Sequence, residues 1–164
     1  MQCDRVIIRA MRLARLGLVL VAAALTVSAC QVKEEPGSGP APIPAPADVK
    51  APPADALRTP SGLASKVVIV GLGSVKPTPT STITVHYTGW TTDGKMFESS
   101  YQSGKPVTFE VRQVIPGWQE AVQLMVAGEK RRFWIPGHLA YDNSTNPNDP
   151  KGMLVFEIEL LDVR

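Results

Sequence analysis

The chain has 164 residues, a net charge of +2 and two cysteines, which leaves room for one domain with some extra length and no disulfide framework. The positive surplus is local: Arg5, Arg9, Arg12 and Arg15 against Asp4 give the first 29 residues a charge of +3, so the remainder carries −1. That balance argues against nucleic acid or an anionic surface as the main partner.

In chain order, the arginines come first and are followed by LGLVLVAAALTV, an apolar run too short for a membrane span, which needs about 20 residues. A basic start, a short apolar core and small residues describe a secretory signal peptide over residues 1–29. The small residues end as VSAC, Val27 to Cys30, which resembles the bacterial lipobox. That resemblance implies lipidation at Cys30, a lipid-bilayer anchor in the cell envelope and, since Gln31 follows, the outer membrane of a Gram-negative host. Met1 and Met11 both serve as starts. Residues 30–58 are rich in Pro and Ala and nearly without large apolar groups, so a disordered tether is expected. Fully extended at about 3.1 Å per residue, it reaches about 80 Å.

From Thr59 to Arg164 the composition changes to strands and turns. SKVVIVGLG, Ser65 to Gly73, reads as a strand. STITVHYTGW alternates, with Ile83, Val85 and Tyr87 on one face and Thr84, His86 and Thr88 on the other. TTDG then turns the chain, and KMFESS and VTFEV read as short strands. A helix begins at Pro116: Trp118, Ala121, Val122 and Met125 form one apolar stripe, with Gly128 at the exit. EKRRFWI is a strand whose Lys130, Arg131 and Arg132 read as a solvated end. A long polar loop, IPGHLAYDNSTNPNDPKG, precedes a last strand with Leu154, Phe156, Ile158 and Leu160 facing one way. Five or six antiparallel strands curved around one short helix make an α+β domain, with Trp118 buried between helix and sheet.

Six rings, Tyr87, Phe97, Phe109, Trp118, Tyr141 and Phe156, exceed what so small a core needs. An apolar pocket lined by them is the natural binding site. His86 and His138 have no His/Cys/Asp partners at metal spacing, so no metal or other cofactor is expected. His86 falls on the polar face of its strand.

VHYTGWTTDGKMFESS, VIPGWQEAV, LAYD and LVFEIELL, in that order, resemble the FK506-binding-protein family of peptidyl-prolyl cis-trans isomerases over about residues 60–164. The resemblance implies the family's curved sheet around a short helix and a proline-containing polypeptide as ligand, with FK506-like macrolides as further ligands. By position it implies Tyr87, Phe97, Phe109, Trp118 and Phe156 as walls and floor around a proline ring. Val114 and Ile115 become an apolar edge, with the Ile115 backbone N–H offered to the ligand, and Tyr141 offers its hydroxyl to a substrate carbonyl. Glu98 stands where the family usually has aspartate, as an anchor for Phe97 and Tyr87 or in a direct role. Ser103 replaces an arginine often near that acid, and Val107 replaces an aromatic at the pocket margin. The loop after Tyr141 is about two residues shorter and more polar than in small members. The expectation is a monomeric, lipid-anchored isomerase assisting the folding of envelope or secreted proteins. A non-catalytic peptide-binding chaperone or surface adhesin is the alternative.

Overall fold

A computed structural model describes residues 41–164. The signal peptide, Cys30 and the first part of the tether lie outside the described residues. Seven strands form one antiparallel sheet: β1 (Leu57–Arg58), β2 (Ala64–Ile69), β3 (Thr82–Thr91), β4 (Met96–Ser99), β5 (Val107–Glu110), β6 (Lys130–Ile135) and β7 (Leu154–Val163). The order is β1-β2-β6-β7-β3-β4, with β5 also pairing β3. One edge of β3 therefore serves two short strands in succession: β5 along Thr82–Val85 and β4 along Thr88–Trp90. Its other edge pairs with β7 along nearly its whole length, Ile83 to Thr91.

The two-residue side-chain period of these strands gives the sheet two apolar faces. On the inner face Ile83, Val85 and Tyr87 of β3, Phe133 and Ile135 of β6, and Leu154, Phe156, Ile158 and Leu160 of β7 pack against α1 (Pro116–Val122), the one α-helix among the described residues. Trp118, Ala121, Val122 and Met125 are all buried there, as the stripe requires. The helix itself is shorter than the stripe. Leu124 N–H donates to Ala121 and Met125 N–H to Val122, so the chain tightens into turns before Gly128, which takes φ +82°. None of the described helices is long and apolar enough to cross a membrane.

Three expectations change. The strand read as Ser65–Gly73 stops at Ile69, after a register shift, because Gly71 and Gly73 then press against the backbone of Ala127 and Glu129. Leu72 is left 99 % exposed. The basic run Lys130–Arg132 is not a solvated end: Lys130 meets Glu159, Arg131 meets Glu129, and Arg132 bridges Glu157 and Asp48. The third concerns the tether, expected as a spacer through Arg58. From Ile43 onward it lies against the outer face of the sheet. There Ile43, Ala45, Val49 and Ala56 pack with Trp90, Trp134, Val155, Ala64, Met96 and Met153, and Leu57–Arg58 adds the extra strand β1. The segment's own apolar groups are too few to fold it alone. The missing surface is supplied by the sheet, and the prolines lower the entropy lost on ordering.

Candidate active site

Beside α1 the inner face is not filled. A hollow of about 340 Å³ opens there, lined by Tyr87, Phe109, Trp118 and Phe156, by Val114 and Ile115, and by Glu98, Gln113 and Tyr141. Its size lies at the low end of the range for small-ligand sites.

The rings hold one another at near right angles. Trp118 stands edge-on to Tyr87 (centroids 5.1 Å), Phe109 (5.8 Å) and Phe156 (5.4 Å) and so forms the floor. Such T-shaped pairs place a positive ring edge against a negative ring face and add about 0.5–1.5 kcal/mol beyond burial. Phe97 is not in the lining. It stands edge-to-face on Phe156 at 5.5 Å and braces that wall from the side. The brace requires Gly89, where a Cβ atom would meet Phe97 Cζ at 2.6 Å and Phe156 Cε1 at 2.9 Å. The sequence reading passed over Gly89, and its signal was a glycine inside an alternating strand.

The polar groups are placed by neighbours. Ser100 Oγ accepts the Tyr87 backbone N–H at 2.9 Å and fixes that segment of β3. The Tyr87 hydroxyl faces the Glu98 carboxylate, which acts on it electrostatically. Burial first, and then the neighbouring Glu98 carboxylate, pushes the Tyr87 hydroxyl pKa well above the usual tyrosine range. Burial also raises Tyr141, helped by the negative charges of Glu98 and Asp149. Among the described residues the Tyr141 hydroxyl makes no protein hydrogen bond. The loop that carries it is braced: Lys151 Nζ donates to the carbonyls of Tyr141 (2.7 Å) and Ser144 (2.8 Å), and Gly152 N–H donates to Asp142. Elsewhere in the lining, Ile115 caps α1 with its carbonyl, which accepts from Trp118 and Gln119, while its own N–H donates to no backbone carbonyl among the described residues. Gln119 Nε2 donates to the Val114 carbonyl at 2.8 Å and locks this turn, a role not visible in the sequence.

Of the nine residues expected around the pocket, eight converge on it and Phe97 stands behind. Gln113 joins them unannounced. Glu98 is exposed at the rim beside Tyr87, with no ion pair among the described residues. Ser103 instead donates to the Ser100 carbonyl at 2.8 Å. Val107 packs into the core beside Phe109 rather than at the opening. His86 lies on the outer face, its Nδ1 2.9 Å from Ser100 Oγ and its ring stacked on Tyr101.

A family model described as FKBP-type peptidyl-prolyl cis-trans isomerase matches residues 73–161. The chain belongs to this family. The FkpA isomerase of Aeromonas hydrophila is 48% identical over 104 residues, covering 63% of this chain and 38% of that protein. The outer membrane protein MIP of Legionella longbeachae is 46% identical over 107 residues, or 64% of this chain and 46% of that one. The chain thus spans less than half the length of these curated relatives. Among solved structures, FkpA from Escherichia coli matches with TM-score 0.63 at 37% identity, covering 68% of this chain and 53% of its own. AtFKBP13 matches with TM-score 0.59 at 34% identity, covering 67% of this chain and 99% of its own. The matched regions include the β3 and β7 pair, α1 and the Tyr141 loop, so the hollow is built within the FKBP-type domain.

Proposed function

We propose that the hollow accelerates cis–trans rotation about X–Pro bonds in polypeptides. The observation that carries this reading is a ring-walled cavity, roomy enough for a proline and its neighbours, whose lining includes two residues with unengaged donors, the Ile115 N–H and the Tyr141 hydroxyl. Rotation faces a barrier of about 18–20 kcal/mol because the planar amide is resonance-stabilised. On twisting, conjugation is lost and the amide becomes less polar. Rings that replace water stabilise this form relative to the planar one. Ile115 would hold the carbonyl after the proline and Tyr141 the one before it, so that the chain turns about one bond. A thousandfold acceleration takes about 4 kcal/mol, within reach of contacts without nucleophile or proton transfer.

The test is a protease-coupled assay of the full chain on a proline tetrapeptide, whose uncatalysed exchange takes tens of seconds. Acceleration is expected, reduced about tenfold in Tyr141→Phe. A rate equal to buffer removes the activity. An FK506-like macrolide is expected to compete for the same hollow.

The finer setting is also our reading: Cys30 lipidated after removal of residues 1–29, and a monomeric enzyme serving proline-containing envelope or secreted proteins. The VSAC motif and the apolar run before it support the anchor. Two or more acyl chains, at about 0.8 kcal/mol per buried methylene, make such an anchor stable. Incorporation of labelled palmitate, lost in Cys30→Ala, is the expected outcome. Label retained in that variant, or absent from the parent, rejects it.

A further inference from the structure

The outer face of the sheet carries two tryptophans that the catalytic hollow does not use. Trp90 of β3 and Trp134 of β6 are both buried, on the side opposite Trp118. Outward-facing indoles need both cover for the ring and an acceptor for the N–H. Both come from the same stretch of chain. Trp90 Nε1–H donates to the Ile43 carbonyl at 3.0 Å, and Trp134 Nε1–H donates to the Asp48 carbonyl at 2.9 Å. Arg132 Nη1 adds an ion pair to the Asp48 side chain, and Ile43 N–H points at Met96 Sδ at 3.3 Å.

The seated stretch is APIPAPADV, Ala41 to Val49. Pro42, Pro44 and Pro46 hold φ near −65° and donate no N–H, so the backbone is stiff and extended and forms no sheet ladder. Ile43 and Ala45 face the sheet while Pro42 and Pro44 face water, and Val49 is buried after the turn closed by its N–H to the Pro46 carbonyl. The carbonyl that Trp90 engages belongs to an X–Pro tertiary amide, a strong acceptor. Indole N–H groups gripping carbonyls of a proline-stiffened peptide across an apolar groove is a peptide-recognition arrangement rather than generic core packing.

We infer that the Trp90–Trp134 face is a second peptide-binding site, separate from the catalytic hollow and occupied in cis by residues 43–49. Its ligand class is an extended, proline-stiffened peptide with apolar residues at alternate positions and an acid for Arg132. When the resident segment is unseated, the face accepts such a peptide from solution.

The three tryptophans supply the test, because Trp118 reports the hollow while Trp90 and Trp134 report the outer face. In the full chain, hydrogen exchange at the indole N–H groups of Trp90 and Trp134 is expected to be slow. The Ile43→Asp/Val49→Asp variant places charges in the groove and is expected to speed both at least tenfold, with Trp118 unchanged. A synthetic peptide of residues 41–56 added to the variant is expected to restore slow exchange and to shift the Trp90 and Trp134 resonances, while leaving the unaltered chain's outer face unshifted. Because the peptide contains prolines, it also has access to the hollow. A shift at Trp118 alone, with Trp90 and Trp134 still exchanging fast, overturns the inference. So does a variant in which both outer indoles stay protected. Should the double variant not fold, Ile43→Ala is read the same way, with a smaller acceleration at Trp90 than at Trp134 counting against the assignment.

Discussion

The two faces of the sheet are both rich in rings, yet they end differently. On the inner face Trp118 and its neighbours stand edge-to-face around space, and among the described residues neither Tyr141 nor Trp118 finds a side-chain hydrogen-bond partner. On the outer face Trp90 and Trp134 have their rings covered and both N–H groups engaged by residues 43–49. Aromatic content alone therefore does not make a site. What separates the two is whether the chain supplies its own occupant. If that division is real, damage to the outer face changes stability and damage to the inner face changes turnover.

The largest test is Trp134→Ala. The ring is almost wholly buried, and truncations of this kind cost about 3–5 kcal/mol. Urea denaturation is expected to show that loss, with isomerisation per folded molecule retained. A fall in turnover as large as that of Tyr141→Phe would show the faces to be coupled and break the comparison. Next is Gly89→Ala, which acts on the inner face. The added methyl drives into Phe97 and Phe156, so the wall that Phe97 braces has to shift. Overpacking of this kind costs about 1–3 kcal/mol, and here turnover is expected to drop about tenfold as well. Unchanged turnover would mean that Phe97 and Phe156 are scaffold only.

A smaller effect belongs to the link between Asp48 and Arg132, whose side chains are about three-quarters and four-fifths buried. A double-mutant cycle of Asp48→Asn with Arg132→Gln is expected to give a coupling of about 1 kcal/mol in stability and none in turnover. Zero coupling would leave the seating of the segment to its apolar contacts alone. With Cys30 lipidated as proposed, the seating also shortens the reach from the membrane. Twelve residues lie between Cys30 and Ile43, and at about 3.1 Å per residue the extended span is at most about 40 Å, half that expected of a tether that runs free to Arg58.

The parts of this architecture that were readable are those set by local periodicity. Ile83, Val85 and Tyr87 on β3, and Leu154, Phe156, Ile158 and Leu160 on β7, declare one face each by alternation, and those faces share the inner core. The hollow was legible through motif order, which put Tyr87, Trp118, Tyr141 and Phe156 together although nothing in their spacing does so. Contacts that join distant segments were not legible. Residues 43–58 looked unable to fold because their partner lies some forty to a hundred residues away. A clue existed in Trp90 and Trp134, aromatic residues on strand positions that alternation assigns to the outside. Gly89 and Gln119 act by what they leave open or hold in place, and neither carries a pattern. The stop of β2 at Ile69 likewise depends on the approach of Ala127 and Glu129 to Gly71.

The smallest effect separates the faces by pH. In the hollow, burial raises the pKa of Tyr87 and Tyr141, so both phenols keep their protons past the ordinary tyrosine value of about 10. A raised folded value contributes stability that is complete below the unfolded pKa and is lost as pH climbs through the folded one. Turnover is therefore expected to stay level from about pH 6 to 10, and the urea midpoint to fall only above that range. On the outer face the Tyr101 hydroxyl donates to Glu159 at 2.6 Å, and this bond, with Lys130 nearby, lowers the Glu159 pKa from 4.5. Its contribution has the opposite sign: present above the unfolded value and lost as pH drops through the depressed one. Glu159 is about one-third exposed, so the contribution is a few tenths of a kcal/mol. Tyr101→Phe is expected to flatten that part of the acid limb of the stability profile and to leave the turnover profile untouched. A Tyr101→Phe variant whose turnover acquires a new ionisation would place Glu159 in communication with the hollow, and the two faces would then share one titration.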